Sequence, residues 1–274
     1  MKIEGWKYYI HAAIPDTSPH ETVDIGPIES GDIWNMDGKP LLARWTTDWD
    51  CGIETNWWYV IKDSPFDISA LKSKRRYEIN KGNKNFEVRE IVPDAYAEEI
   101  YEVTVAAYET YPASYRPQIN RDSFVQGIKM WQFYKTYGAF LIENGKLCGY
   151  ANLLRNGEYI DFHNLKAIPE KEKFGLNAAI VNKILVDHED FLSNGGYICD
   201  GSRSIQHETA FQDYLEKYFE FRKAYCNLNI AYKPSFKSII DIAYHFRGIL
   251  KKLDGINAVK KMNALLRMEE INRS

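Results

Sequence analysis

The sequence predicts an α/β (α+β) protein built on a mixed, mostly antiparallel sheet flanked by helices. Three observations predict it. Between Tyr137 and Ile168 three strand-like runs, GAFLIE, KLCGYANLLR and EYIDFHNLKAI, are separated by Asn144-Gly145 and Asn156-Gly157, dipeptides that accept the positive backbone angles of tight hairpin turns. After Pro169, FGLNAAIVNKILVDHEDFL carries Leu176, Ile180 and Ile184 at helical spacing until Gly195-Gly196 stops it, a helix of about five turns. YICD then returns as a short apolar strand. A helix joining two strands of one sheet makes them parallel, with a right-handed crossover.

The remaining elements follow in order. The first ninety residues hold six of the seven tryptophans, Trp6, Trp34, Trp45, Trp49, Trp57 and Trp58, with a hairpin signal at Asp37-Gly38, and they read as a β-rich subdomain. LKSKRRYEINKG is a basic helix expected to end at Gly82, and it leads into the strand NFEVREI. DAYAEEIYEVTVAAYETYP and RDSFVQGIKMWQFYKTY read as two helices joined by a loop with Pro112 and Pro117. HETAFQDYLEKYF places Phe211, Leu215 and Phe219 on one helical stripe, and RKAYCNLNIAYKP alternates Cys226, Leu228, Ile230 and Tyr232 as a final strand. Beyond Pro234 the chain is helical and basic, with Ile239, Ile242, Phe246, Ile249 and Leu253 at spacings of three and four. These divisions give three expected parts: 1–85, β-rich with a basic linker helix; 86–234, the central domain; and 235–274, a helical tail.

Composition narrows the function classes. With 274 residues, 45% of them apolar, and 35 basic against 38 acidic side chains, the chain has enough apolar residues for a large core and lacks the strong positive charge of a whole-protein nucleic-acid binder. No run of about 18 apolar residues exists, and MKIEGWKYYIHAA lacks the pattern of a secretory signal, so a soluble, cytoplasmic chain is expected. Cys51, Cys148, Cys199 and Cys226 show no paired metal-ligand spacing; buried thiols are expected, with no metal.

Two helices, a meander, a crossover helix, a parallel strand, a helix and a last strand make an order that resembles the GNAT acyltransferases from Phe86 to Tyr232. ETAFQDYLEKYFEFRKAY is similar to that family's closing segment at Ala210, Tyr214, Glu216, Lys217, Phe221 and Arg222, with one residue inserted and Glu220 where glycine is usual. EKFGLNAA resembles the family's phosphate loop, with Gly175 matching and Glu172 and Asn177 in the flanking motif positions. KSKRRYEINKGNKNFEV is similar to linker regions of FemAB-like transferases, so the first part reads as a β-rich extension or a partial second GNAT-like subdomain.

The resemblance implies acyl-CoA, with acetyl-CoA as the type case, as donor substrate. It places Lys171, Lys173, Phe174, Gly175, Leu176 and Asn177 around the donor's diphosphate. A helix start with unpaired amides suits that anion, and an ordinary loop ahead of a helix accounts for the same residues. Asp161 and His163 are two apart on a strand and share a face, so an acid can orient a histidine base; a solvated strand face is the alternative. Tyr159 extends that face toward an acceptor.

The DGSRS segment follows the parallel strand at its carboxyl end, where open α/β sheets bind ligands. Asp200 is expected to bind acceptor, Arg203 a phosphate or carboxylate, and Ser202 and Ser204 a pantetheine-like arm. Alternatively Ser204 or His207 caps the next helix and Asp200 braces the turn. The resemblance offers Tyr214 and Tyr218 as proton donors to the leaving thiol; packing, the commoner role of tyrosines on a helix, is the alternative. The tryptophans read as core or as stacking surface, and the basic helix (Lys72, Lys74, Arg75, Arg76, Lys81, Lys84) as a solvated face or a contact to transfer RNA. The tail, with Lys251, Lys252, Lys260 and Lys261, reads as packed on the core or laid on a membrane surface.

The leading expectation is therefore transfer of an acyl group from acyl-CoA to an amine or hydroxyl of a small or sugar-like acceptor by direct attack. A FemAB-like aminoacyl-tRNA-dependent transferase is the alternative within enzymes. A non-catalytic ligand-binding protein with a decayed phosphate loop is the third reading, motivated by Glu172 and Asn177.

Overall fold

The computed structural model describes residues 1–111, 116–205, 210–253 and 256–274. The expected loop position of Pro112 and the expected cap at His207 lie outside the described residues. In chain order the strands are β1 (Trp6–Tyr9), β2 (Ala12–Pro15), β3 (Leu42–Thr47), β4 (Trp57–Lys62), β5 (Phe86–Ile91), β6 (Lys135–Leu141), β7 (Leu147–Asn156), β8 (Tyr159–Ala167), β9 (Tyr197–Ser202) and β10 (Arg222–Tyr232). The helices are α1 (Gly26–Ser30), α2 (Ser73–Asn85), α3 (Ala97–Glu109), α4 (Arg121–Ile128), α5 (Pro169–Glu172), α6 (Leu176–Asp187), α7 (Glu189–Ser193), α8 (Ala210–Phe219), α9 (Pro234–His245), α10 (Arg247–Leu250) and α11 (Asn257–Asn272). They fall into two compact units. The first comprises Met1–Val60, Ser202–Ala210 and Lys223–Ser274, the second Ile61–Gly201 and Phe211–Arg222.

The second unit contains the GNAT-like arrangement. Its strands lie in the order β9-β8-β7-β6-β5, antiparallel throughout except for the parallel pair β8 and β9. The hairpin turns fall at Gly145 (φ 69°) and Gly157 (φ 60°), where positive φ selects glycine. One core cluster joins α3 to the meander through Ile100, Val103, Phe140, Leu147 and Tyr150. The buried Tyr150 hydroxyl lies 2.8 Å from Thr104 Oγ1, which itself donates to the Ile100 carbonyl at 2.7 Å, so neither hydroxyl is stranded.

Three expectations change here. The basic helix runs through Gly82 to Asn85, because Gly82 serves close packing: a Cβ there would collide with the Gly175 carbonyl oxygen. The predicted five-turn helix is α6, 12 residues or ~18 Å long, followed by a break at His188 and the short α7. His188 Nδ1 takes up the Ile184 carbonyl at 2.8 Å, satisfying a helix-end acceptor. In RDSFVQGIKMWQFYKTY only Arg121–Ile128 is α-helix; Lys129–Phe133 tightens to a 3-10 turn and KTY opens β6, where Thr136 and Tyr137 are buried.

In the first unit the strand order is β1-β2-β3-β10-β4, with β2 and β3 parallel. The hairpin is not at Asp37-Gly38. It joins β1 to β2 through Ile10 (φ 43°) and His11 (φ 64°), two residues with no glycine to advertise the turn. Trp6 and Trp57 are core residues, Trp6 packing with Ala13, Val23, Ile33 and Met36, and Trp57 with Cys226 and Leu228. Of the cysteines, Cys148, Cys199 and Cys226 are buried and Cys51 is half-buried. The tail is helical, but the apolar positions picked out by spacing face outward: Ile239, Ile242, Phe246, Ile249 and Leu253 are between 46% and 63% exposed, while Ile240 of α9 and Leu266 of α11 are buried. Among the described residues no helix is long and apolar enough to cross a membrane.

Candidate active site

Strands β8 and β9 pair only from Tyr159 opposite Tyr197 to Asp161 opposite Cys199. Beyond that point their pairing does not continue among the described residues. On its other edge β8 pairs with β7, and the register passes from Asn152 opposite Asn164 to Leu153 opposite Phe162. His163 is therefore the extra residue of a β-bulge, a device that re-aims a side chain. Its Nδ1 lies 3.1 Å from Asp161 Oδ2. With the Nδ1 proton given to that carboxylate, Nε2 carries the free lone pair. The Tyr134 hydroxyl sits 3.4 Å from Nε2, and the two rings stack with centroids 4.9 Å apart. His163 is 47% exposed, which leaves its ring open to an acceptor.

Burial raises the Tyr159 pKa, with the charges of Cys199 and Asp161 next among the causes, so its phenol keeps its proton near Asp161. Asp161 thus has the imidazole as its hydrogen-bond partner and the Tyr159 phenol in its electrostatic neighbourhood. Asp200 is the first β9 residue after the pairing ends. Burial pushes its pKa up to about 7, a hydrogen bond from Gln212 of α8 opposes the rise, and the Asp161 charge adds to it. A carboxyl poised there can donate a hydrogen bond near neutral pH.

The linkage sign is the reverse of the usual carboxylate case. The folded pKa lies above the unfolded one, so the native state holds the extra proton between about pH 4 and pH 7. Stability from this group is lost as pH rises through that window. Urea midpoints measured from pH 4 to pH 8 are expected to fall less in Asp200→Asn than in the parent, and parallel curves would remove the assignment.

The predicted diphosphate site is more crowded. Gly175 (φ 83°) precedes the first turn of α6, where a Cβ would stand 2.7 Å from Gly82 N and 2.8 Å from Glu78 O of α2. Phe174 N donates to Lys171 O at 3.0 Å and Gly175 N to Glu172 O at 2.9 Å, so two of the amides offered to a phosphate are spent inside the turn. Asn177 brings a buried acceptor oxygen without a partner to the same turn, and an acceptor repels an anion. Lys171 and Lys173 both lie over the ring of Phe174, at 5.8 and 5.2 Å. Leu176 is fully buried.

Tyr214 and Tyr218 pack together on α8 with centroids 4.9 Å apart, and Phe211, 6.1 Å from Tyr214, meets Phe162 of β8 at 5.8 Å. Burial raises the Tyr214 pKa, with Glu78 next among the causes. Ser202, Arg203 and Ser204 belong to the first unit. There Arg203 Nη1 donates to the Asn56 carbonyl at 2.6 Å and the guanidinium lies 4.6 Å over Trp58, so this arginine has structural partners. Among the described residues no cluster of His, Cys, Asp or Glu is suited to a metal ion.

Sequence reasoning missed Tyr134, whose segment reads as helix, and Gln212, which shares α8 with the aromatic residues. It also missed the reason for Glu220. That residue has φ 58°, the left-handed angle for which glycine is suited, and its carboxylate lies 3.8 Å from Nζ of Lys62, an ammonium only 1% exposed. Burial lowers the Lys62 pKa, and the glutamate supplies the opposing charge.

No protein-family model matches the chain, and no curated protein does. Among solved structures, L-PGS from Bacillus licheniformis is similar over 98% of this chain and 85% of its own, with a TM-score of 0.53 at 10% identity. The two proteins share a fold. The C-terminal domain of a putative lysylphosphatidylglycerol synthetase from Agrobacterium fabrum aligns with 86% of this chain and 82% of its own, TM-score 0.46 and 10% identity. A GCN5-related N-acetyltransferase from Kribbella flavida aligns with 42% of this chain and 68% of its own, TM-score 0.30 and 20% identity. The likeness to L-PGS is one of fold, and it spans both units.

Proposed function

We propose that this protein is a transferase in which an amine or hydroxyl attacks an activated acyl or aminoacyl carbonyl directly, with His163 as general base. The observation that carries the reading is the Asp161–His163 pair at a bulge beside the point where the pairing of β8 with β9 ends. Nε2 takes the acceptor's proton as the new bond to the carbonyl carbon forms. Asp161 holds the tautomer and balances the imidazolium. Beyond Asp161 the β8 edge has no strand pairing on the β9 side among the described residues, so its backbone N–H groups are suited to the developing oxyanion. Tyr214, Tyr218 and the neutral form of Asp200 are the candidates to return a proton to the leaving oxygen or sulfur.

For the donor, an aminoacyl ester of transfer RNA fits better than acyl-CoA. Helix α2 closes on Gly175, and Glu172 and Asn177 bring acceptors where a diphosphate needs donors. The same helix carries five cations and its N-cap Lys72 a sixth, with no carboxylate in ion-pair distance among the described residues, and Tyr77 among them is 65% exposed. Such a surface suits a polyanion with stacking bases. Acyl-CoA remains a second reading on one observation, the end of the β8–β9 pairing at Asp161, which leaves strand-edge hydrogen-bonding groups suited to a pantetheine arm.

Donor consumption separates the two. Loss of labelled amino acid from charged transfer RNA in the presence of a panel of amines and hydroxyl acceptors is the expected result, with no rise in melting temperature on adding acetyl-CoA. A clear rise at millimolar acetyl-CoA, with release of free thiol, would establish the second reading instead.

A further inference from the structure

The first unit contains a cavity of about 190 Å³, lined by residues of β2 and β3 and, from the DGSRS segment, by Ser202. Arg44 of β3 lines it, along with Thr17, Trp57 and Tyr59. The half-buried guanidinium has no carboxylate partner among the described residues, and its one hydrogen bond there goes to the thioether sulfur of Met268 at 3.8 Å. A thioether is a weak acceptor for a group with five N–H donors. Two more polar atoms of the lining are buried and unpartnered: Nε1 of Trp57, a residue 3% exposed, and Oγ1 of Thr17. An indole N–H is a donor only, and a hydroxyl can serve as one. The one carboxylate of the lining, Glu21, is exposed and already accepts from Ser18 N at 2.8 Å, which keeps it at the rim.

We propose that the first unit holds a binding site for a small oxyanion, a carboxylate or phosphate group, seated on Arg44, Trp57 Nε1 and Thr17 Oγ1. The three donors share one need. A planar guanidinium takes two oxygens of such a group side by side, and the indole N–H and hydroxyl supply donors to its remaining lone pairs. Trp57 and Tyr59 give apolar walls against which the rest of a small organic anion packs. Burial lowers the Arg44 pKa, with only tyrosines 59 and 9 opposing, as expected of a cation that lacks its counter-charge. The inference does not depend on the transferase reading, since it uses no residue of the second unit.

The test is a titration of intrinsic tryptophan fluorescence in the full chain with inorganic phosphate and, separately, with acetate, at constant ionic strength against chloride. A saturable change with one of the two oxyanions and none with chloride is expected, and the better of the two names the group. Arg44→Met is expected to weaken that binding by roughly tenfold or more, and Trp57→Phe, which keeps the ring and removes the N–H, by a smaller factor. Without the anion, Arg44→Met is expected to melt no lower than the parent, because it deletes an uncompensated charge. Should that variant not fold, Arg44→Lys keeps the charge and loses the fork, and the same weakening is expected there. No saturable oxyanion effect in the parent, or parental affinity in both the arginine and the Trp57 variants, would overturn the site.

Discussion

Turnover in His163→Ala is expected to fall by roughly 10²- to 10⁴-fold, with donor affinity within a factor of about two of the parent. The size follows from the role. A base that removes the acceptor's proton acts in the transition state alone, so its loss lowers kcat rather than binding. His163 is 47% exposed and its contacts are to Tyr134 and Asp161, so truncation leaves no buried group stranded and the fold remains. Asp161→Asn should show a smaller loss, because the amide keeps the ring in place but no longer balances the imidazolium. The checks are steady-state kinetics with a circular dichroism control. Unchanged turnover in His163→Ala would take the residue out of the mechanism and leave the Asp161–His163 pair as a solvated feature of a strand.

Binding of transfer RNA is expected to fall about a thousandfold between 50 and 200 mM salt. Helix α2 offers Lys74, Arg75, Arg76, Lys81 and Lys84, its N-cap adds Lys72, and six phosphate contacts imply a log-log slope near −5. Lys72, Lys74 and Lys84 are exposed and Arg75, Arg76 and Lys81 half-buried, so the first three can be changed without touching packing. Each of the three replaced by alanine should lower the magnitude of the slope by about one, and the triple glutamate variant should abolish measurable binding. Filter binding across a salt series reads the slope directly. A slope near zero, or one that is the same in parent and triple variant, would return α2 to an ordinary solvated helix and favour acyl-CoA as donor.

Legibility in the sequence followed the range of the interaction. The meander was readable because apolar alternation and the Asn-Gly turns are local, and the parallel β8–β9 pair followed from the length of what connects them. Asp161 and His163 were readable as a pair because a strand brings residues two apart to one face. Tyr134 was not, since it joins the pair across 29 residues from a segment whose aromatic run reads as helix. The outward apolar stripe of the tail shows the limit of periodicity: spacing defines a face, and only packing tells which face is covered.

Local order is therefore written in the chain: the strands and turns of the meander, the helix that joins β8 to β9, and the juxtaposition of an acid and a histidine. The tertiary structure alone decided that Gly82 and Gly175 meet, so that α2 lies over the α6 start, and that a bulge sets His163 apart from β7. The reason is physical. Two backbones approach closely only when both lack a Cβ, and nothing in either segment by itself records which distant glycine its own is meant to meet.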